Sequence, residues 1–251
     1  MDKKNRACYD LCVRTPGTEA LDRLAACGWT GVCVAREYTG AKMPSLPPKI
    51  GGMEVYNGAI ITQDIEKNAR KALDAADIII AAGGSDDANR AAAECHEVDI
   101  LLHPEKGREK DNIDSKNAGL DHVMAAMMAE RGTALGIDFS QLLSCTGRWY
   151  AQLAGRIRQN VKVALKYHVP IVLASGARDT LGIRAPLDLA AAGRLIGIPE
   201  HDASKVVSSY PRKVVSKMKD RKNPNILLKG LEVTDWGGQK PKEPKRKYGW
   251  Y

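Results

Sequence analysis

Four arginine residues stand where predicted strands end or have just ended: Arg14, Arg36, Arg178 and Arg184. The guanidinium group is planar and carries a fork of donors that binds phosphate or carboxylate through two hydrogen bonds. In a parallel α/β fold the carboxyl ends of the strands share one edge, where the binding loops collect. We therefore expect these side chains to meet on one rim and to bind phosphate or an acidic partner. The alternative is structural, with Arg184 paired inside the fold to Asp188 or Asp179.

Residues for hydrolysis or metal binding do not occur at the usual spacings. The five histidines form no HxH or HExxH pair: His96, His103, His122, His168 and His201. His103 with Asp99 comes nearest to a ligand pair, and Ser175 lies outside any GxSxG motif. The six cysteines show no CxxC spacing and lie mostly in apolar runs. These features predict buried, reduced thiols in a cytosolic protein, with no catalytic residue and no metal site.

Short apolar runs alternate with helical patterns along the chain. Seven runs predict strands, at residues 8–13, 31–36, 54–62, 77–83, 98–103, 134–139 and 171–174. Such alternation is typical of a parallel sheet, and the length of 251 residues favours a TIM-like (β/α) barrel in a single domain over residues 1–230. An open doubly wound sheet is the alternative, although no GxGxxG motif follows the first strand.

Capping residues and prolines indicate where the helices begin and end. Thr18 and Asp64 are expected to cap helices, the second reaching about residue 75, and Pro186 should open another. Residues 40–52 are rich in Pro and Gly and predict a loop without regular structure. A last helix beginning near residue 203 should be kinked or split by Pro211.

A long helix is predicted after the sixth strand. Its apolar stripe has a spacing of four residues and consists of Trp149, Leu153, Ile157, Val161 and Leu165. A basic row with the same spacing lies beside it, formed by Arg158, Lys162 and Lys166. The row is either a solvated outer face or a surface that contacts RNA.

The positive charge is concentrated at the carboxyl end of the chain. The net charge is +8, and the last 41 residues hold 12 Lys and Arg but only 4 Asp and Glu, which accounts for the whole excess. Residues 231–251 therefore predict a basic, flexible tail in which Lys245, Arg246 and Lys247 are candidates for RNA contact, the alternative being a solvated tail. No amphipathic apolar face accompanies the charge, and no apolar run approaches the roughly 20 residues of a membrane span. We expect a cytoplasmic protein that binds a polyanion and no membrane.

Three segments carry a resemblance to a known family. The run ASGARDTLGIRAPLDLAAAGRLIGI, with ALGIDFSQLL before it and EHDASKVVSSYPRKVV after it, resembles the carboxyl-terminal third of the ribonuclease P protein component 3 family. This is the 30-kDa subunit family of archaea and eukaryotes. The resemblance covers most of the chain and is tightest from about residue 117, and the length fits an archaeal member.

The resemblance implies a fold, a function and a set of partners. The fold would be a barrel related to the polymerase-and-histidinol-phosphatase phosphoesterases. The function would be that of a non-catalytic subunit of the endoribonuclease that removes the 5′ leader of precursor tRNA, with no cofactor in this chain. Mg²⁺ would act with the RNA subunit of the holoenzyme. The implied partners are the ribonuclease P RNA, protein component 2 in a heterodimer or heterotetramer, the other protein subunits and, through the holoenzyme, precursor tRNA.

Two rival functions remain open. An autonomous metal-dependent phosphoesterase or nuclease would use the first strand, which in the related barrels has the form DLHxH. Here that run is Asp10, Leu11, Cys12, Val13 and Arg14, so both histidines are replaced and the second position carries a cation. The other rival is a protein scaffold that never contacts RNA.

Overall fold

Eight strands form one sheet in the computed structural model. The structure describes residues 6–14, 17–108, 111, 116–228 and 231–238. The strands are β1 (Tyr9–Val13), β2 (Gly31–Glu37), β3 (Lys49–Ile50), β4 (Met53–Ile61), β5 (Ile78–Ala82), β6 (Ile100–Leu102), β7 (Ala134–Asp138) and β8 (Ile171–Ala174). Apart from β3, they are parallel and neighbour one another in the order β1, β2, β4, β5, β6, β7, β8. The predicted barrel of about seven parallel strands is confirmed.

Two backbone hydrogen bonds connect the first and last parts of this sheet. The Gly176 amide donates to the Cys12 carbonyl at 3.0 Å, and the Arg14 amide donates to the Ala177 carbonyl at 2.8 Å. Both lie at or just beyond the carboxyl ends of β1 and β8, so the barrel is nearly closed there. We call this carboxyl end of the barrel the mouth and the opposite end the base.

The helices follow the strands as the sequence pattern indicates. They are α1 (Thr18–Ala26), α2 (Ile65–Ala72), α3 (Asp86–Glu94), α4 (His122–Arg131), α5 (Phe139–Ser144), α6 (Gly147–Lys166), α7 (Pro186–Leu195), α8 (Glu200–Ala203) and α9 (Ser209–Lys222). Pro186 opens α7 as predicted, because its fixed φ suits the first turn and the missing N–H has no helical partner there. The chain also breaks at Ser208, and Pro211 lies in the first turn of α9.

Side chains of the strands fill two apolar layers. Along β2, Cys33 and Ala35 belong to the cluster inside the barrel, while Val32 and Val34 belong to the cluster between barrel and helices. This alternation is the period of two that a strand imposes on its side chains. Both layers are mainly aliphatic, with Tyr9 and Tyr56 inside the barrel and Trp29 in the outer layer. Each fully buried Val, Leu or Ile stabilises the fold by roughly 1.5–3 kcal/mol relative to exposure.

Helix α9 closes the base of the barrel. Its apolar residues Val214, Val215 and Met218 join the interior cluster. Arg221 donates to both carboxylate oxygens of Asp99, each at 3.1 Å, and to the Asp77 carbonyl at 2.7 Å. These acceptors lie at the amino ends of β5 and β6, so α9 is held across the base of the barrel by ionic contacts as well as by packing.

The Asp99 carboxylate is fully buried and receives a second cation. Lys217 Nζ lies 3.5 Å from Asp99 Oδ1 and donates to the Val98 carbonyl at 3.1 Å. Burial alone would raise the pKa of Asp99, but the charges of Arg221 and Lys217 outweigh it and hold that pKa below its usual value. Burial also lowers the pKa of Lys217.

Several sequence expectations need correction. Residues 40–52 include β3, which pairs antiparallel with the start of β4 (Lys49 with Glu54, Ile50 with Met53). Asp64 precedes α2, but its φ is 44° and its side chain makes no capping hydrogen bond. Thr18 is the first helical residue of α1, and Gly17 occupies the capping position.

The predicted long helix is α6, which contains the whole predicted stripe, and the short helix α5 precedes it, separated from it by Cys145 and Thr146. Of its predicted stripe, Ile157 and Val161 are buried, whereas Trp149 is 73% exposed. After α9 the described chain forms a small antiparallel hairpin, β9 (Ile226–Leu228) and β10 (Leu231–Glu232).

Three of the six cysteines are buried, as the sequence predicts, and three are not. All six lie in the described residues and are free, with Cys12, Cys33 and Cys95 buried and the others half-buried. Burial raises the pKa of Cys12 to about 12. None of the described helices is both long enough and apolar enough to cross a bilayer.

Candidate functional site

A group of charged side chains converges on the mouth of the barrel. Arg14 follows β1, His103 and Glu105 follow β6, and Asp138 ends β7. We call these four residues the mouth cluster. His103, Glu105 and Asp138 are buried, while the Arg14 side chain retains 22% of its exposure. The parallel strands bring the cluster together, because they present all their carboxyl ends on one side.

Asp138 is the centre of the mouth cluster. Its Oδ2 lies 3.5 Å from His103 Nε2 and 3.7 Å from a terminal nitrogen of Arg14. Its Oδ1 accepts hydrogen bonds from the Ser140 amide at 2.9 Å and the Ser140 hydroxyl at 2.6 Å. Burial alone would raise the pKa of Asp138, but the contact with His103, the hydrogen bonds from Ser140 and the Arg14 charge lower that pKa below its usual value. Asp138 is therefore an ionised carboxylate that is already fully engaged.

Gly176 makes room for this carboxylate. Its φ is 64°, and a Cβ atom built there would lie 1.7 Å from Asp138 Oδ1 and 2.7 Å from Ser140 Oγ. Any side chain would displace Asp138 as well as strain the backbone. Glycine is thus the residue that allows the β8 loop to close over the β7 carboxylate.

Glu105 and His103 form the second half of the cluster. Glu105 Oε2 accepts a hydrogen bond from the side-chain amide of Asn160 on α6 at 3.2 Å, and Glu105 Oε1 lies 3.9 Å from His103 Nδ1. That nitrogen is buried and has no hydrogen-bond partner among the described residues. Burial raises the pKa of Glu105 more than His103 and Asn160 lower it.

Asp10 lies buried beside the seam between β1 and β8. It accepts hydrogen bonds from the Ser175 amide, at 3.2 and 3.3 Å to its two oxygens, and from the Cys12 amide at 3.4 Å. Burial raises the pKa of Asp10 to about 7, against the effect of these hydrogen bonds. Asp10 and Ser175 are each at most 1% exposed, so neither presents a reactive atom to the surface.

The donor set at the mouth does not suit a metal ion. In the part of the chain that the structure describes, no three His, Cys, Asp or Glu side chains are grouped so as to hold one. Asp138 is in contact with Arg14, whose fixed positive charge opposes a cation at the same carboxylate. The chemistry that the mouth offers is anion binding by Arg14, weakened by the acids beneath it.

The predicted arginine rim forms only in part. Arg14 lies in the mouth, and Arg178 is exposed just beyond β8. Arg36 alternates along β2 with Cys33 and Ala35, so its side chain points to the outer face of the sheet, as those of Val32 and Val34 do. Its guanidinium group lies 3.5 Å from Asn57 Oδ1 on that face. Its predicted place on the rim is therefore wrong, because the alternation of β2 turns it outward.

Arg184 has a different partner from the ones considered in the sequence. Its guanidinium group donates to the carbonyls of Leu181 at 2.6 Å and Ile183 at 2.9 Å, and its own carbonyl accepts from Trp29 Nε1 at 2.9 Å. Neither Asp179 nor Asp188 pairs with it in the described contacts. Arg184 thus holds the loop between β8 and α7 through main-chain carbonyls.

The remaining candidates divide into described and undescribed residues. Arg158, Lys162 and Lys166 are exposed along α6, and Arg158 also donates to the Leu195 carbonyl at 2.7 and 3.0 Å. Lys245, Arg246 and Lys247 lie outside the described residues. The pairing of His103 with Asp99 as metal ligands is wrong, because the two lie at opposite ends of β6.

Asp138 and Glu105 are not among the site residues that the sequence predicts. The signal for Asp138 was present, since an acid at the end of a buried strand faces the same rim as the arginines. Glu105 follows β6 by three residues in a charged loop, where several acids compete and no periodicity distinguishes it.

Comparison with solved structures places the fold among the parallel (β/α) barrels. A crystal structure of an amidohydrolase superposes with a TM-score of 0.53 at 12% identity, covering 86% of this chain and 75% of the other, which is a likeness of fold alone. A chain in a cryo-EM structure of archaeal ribonuclease P with mature tRNA superposes with a TM-score of 0.74 at 25% identity, covering 92% of this chain and 100% of that one.

The sequence relatives identify the family within this class of barrel. The family described as RNase P subunit p30 matches residues 7–223, and the chain belongs to it. Ribonuclease P protein component 3 of Methanosarcina mazei is 31% identical over 239 residues, 90% of this chain and 95% of the relative. The protein of that name from Methanococcus maripaludis is 30% identical over 226 residues, 86% of this chain and 94% of the relative.

Proposed function

We propose that this chain is a protein subunit of an archaeal-type ribonuclease P and takes part in tRNA processing without supplying the catalytic groups. The membership of the p30 family supports the first part. One observation carries the second: the mouth, where parallel barrels place their active sites, is occupied by an ion-paired cluster centred on Asp138 and Arg14.

The cluster supports a structural role because each of its acids is already engaged. A general base must be free to take a proton, and a nucleophile must be accessible. Asp138 has Arg14, His103 and Ser140 as neighbours, and Glu105 accepts a hydrogen bond from the side-chain amide of Asn160. The proposal therefore assigns cleavage of the 5′ leader to the RNA subunit, with Mg²⁺ bound by that RNA.

The partners follow from the same proposal. The chain binds the ribonuclease P RNA and protein component 2, in a heterodimer or heterotetramer, and reaches precursor tRNA through the holoenzyme in the cytoplasm. The neighbouring solved structure, of archaeal ribonuclease P with mature tRNA, supports an assembly of this kind. The cations of α6 and Arg178 are the described candidates for RNA contact, since phosphate neutralisation dominates affinity for nucleic acid.

The test is a reconstitution with precursor tRNA. The purified chain alone should cleave nothing in Mg²⁺, Mn²⁺ or Zn²⁺, whereas adding it to the cognate RNA subunit with component 2 should raise the rate of leader removal. Cleavage by the lone chain that is lost in an Asp138→Asn variant would instead establish the autonomous nuclease. Equal rates with and without the chain would contradict the subunit role.

A further inference from the structure

The amino-terminal turn of α6 extends beyond the body of the barrel. Every residue from Gly147 to Ala151 is exposed, although the same helix buries Ile157 and Val161 to 2% and 1% exposure. Tyr150 stands seven residues before Ile157, close to two full turns, so it shares the phase of this buried stripe, whereas Trp149 lies about 80° around the helix from Ile157, at the edge of the stripe. The apolar face of α6 therefore continues past the surface against which it packs.

The residues on this projecting turn are of the types that dominate binding surfaces. Trp149 is 73% exposed and Tyr150 38%, and Leu143 at the end of α5 is also exposed. Arg148 stands beside them on the same turn and is exposed. We call these four residues the α6 tip. Leaving an indole ring in water is unfavourable, so the tip has the composition of a surface that is covered by a partner.

The charge around the tip selects a polyanion. From residue 139 to residue 178 the sequence contains no Asp or Glu. Of the cations in this stretch, Arg156 is buried and paired with Asp111, whereas Arg148, Arg158, Lys162, Lys166 and Arg178 are exposed. The exposed cations Arg158, Lys162 and Lys166 run along the outer face of α6 away from the tip. A basic groove or stripe combined with an aromatic platform is the arrangement that binds single-stranded nucleic acid.

We propose that the α6 tip binds single-stranded RNA, with an unpaired base stacked on Trp149 and the adjoining phosphates at Arg148 and the basic row. This inference rests on the proposed function, since it names the place where the subunit contacts RNA. Every base has a π-face, so stacking on an indole tolerates any sequence, while the exposed cations of α6 attract the phosphates. A protein partner would have to present acids to Arg148 and to the whole basic row, whereas the phosphates of an RNA strand supply negative charge at every nucleotide.

The experiment measures binding of a fluorescein-labelled single-stranded RNA of 12 mixed nucleotides, with a strand of the same length carrying abasic sites as a second probe. Trp149→Ala should weaken binding of the ordinary strand by about fivefold to 100-fold, the range seen when one stacking aromatic is truncated. Trp149→Phe should restore most of the affinity because it keeps a π-face. The abasic strand should bind the full chain weakly, and Trp149→Ala should change its affinity little.

Leu187→Ala is the matched control, because Leu187 is an exposed apolar residue on α7, outside the tip. If Trp149→Ala and Leu187→Ala bind the ordinary strand equally well, the stacking site is refuted. Loss of component 2 binding in Trp149→Ala with RNA binding unchanged would also overturn it, in favour of a protein contact. A wild-type chain that neither binds RNA nor raises the rate of the reconstituted enzyme would refute the proposed function itself, which the Trp149 variants alone do not test.

Discussion

Arg221→Met should destabilise the barrel strongly, because it removes the main partner of a fully buried carboxylate. The variant loses two hydrogen bonds to Asp99 and one to the Asp77 carbonyl. Breaking a buried ion pair on one side costs roughly 3–5 kcal/mol. Lys217 remains 3.5 Å from Asp99, so we expect the lower end of that range, about 3 kcal/mol. For a chain of this size such a loss lowers Tm by roughly 6–12 °C.

Urea unfolding followed by far-ultraviolet circular dichroism measures this loss, with Lys219→Met as the control. Lys219 contacts Glu54 at 3.0 Å from the same helix, but this pair is largely exposed, so its removal should cost about 1 kcal/mol at most. Replacing Asp99 with Asn in the Arg221→Met background should recover part of the loss, because the unpaired charge is gone. A loss of stability in Arg221→Met no larger than that of the control would show that the buried Asp99 carboxylate does not depend on Arg221.

The pH dependence of the same variant checks its electrostatic origin. The folded-state pKa of Asp99 is lowered, so the stability it contributes is present above the unfolded-state pKa of about 3.9 and is lost as the pH falls through the lower folded-state pKa. The difference between wild type and Arg221→Met should therefore be largest at neutral pH and shrink below about pH 4. A difference that is constant from pH 3 to pH 7 would point to lost packing instead.

Three further predictions concern the mouth. Gly176→Ala should lower stability by more than the roughly 1–2 kcal/mol that the positive φ costs alone, and should reduce assembly, because Asp138 is displaced. Its control in thermal melting is Gly132→Ala, which has a similar φ of 69° but nothing within 4 Å of an added Cβ. Asp10→Asn should stabilise the fold at pH 8 and have little effect at pH 4. The pKa of Asp10 in the folded protein is raised to about 7, so the wild type loses stability as the pH rises from 4 to 8 and the Asp10 carboxyl group ionises. Unfolding measured across this pH range would contradict the prediction if the stability curves of wild type and variant stayed parallel. Arg178→Ala should leave stability within about 0.5 kcal/mol and weaken assembly of the ribonucleoprotein, whereas assembly equal to that of an Arg194→Ala control would remove Arg178 from the contact residues.

The strands and most helices could be predicted from the sequence because each has a local cause. Ile78 to Ala82 and Ile171 to Ala174 are apolar runs too short for helices, and Pro186 fixes the start of α7. Local patterns also placed Arg14 at the carboxyl end of β1. The face to which a strand side chain points, by contrast, depends on the register of the strand. A shift of one residue decides whether a side chain such as that of Arg36 points into the barrel or to the outer layer.

Two features of the site could not be predicted because they depend on distant parts of the chain. Asp99 reads as a candidate ligand until α9, more than 110 residues later, brings Arg221 to it. Trp149 has the spacing of a core residue, and its exposure follows from where the barrel surface ends, which periodicity does not contain. Helical phase shows which face is apolar, and the length of the neighbouring elements decides how much of that face is covered.

Both ends of the barrel are filled by side chains of this chain, so the outer surface is the part that can bind a partner. Helix α9 fills the base with Val214, Val215 and Met218 and neutralises Asp99 there, and the mouth acids are engaged by Arg14, His103 and Ser140. Ligand binding inside either end would require breaking buried ion pairs, at several kcal/mol each. The exposed cations of α6 and Arg178 need no such rearrangement, because binding phosphate there displaces only solvent and counterions. An RNA partner is therefore expected to lie along the outside of the barrel, beside α6 and the rim at Arg178, and not to enter it.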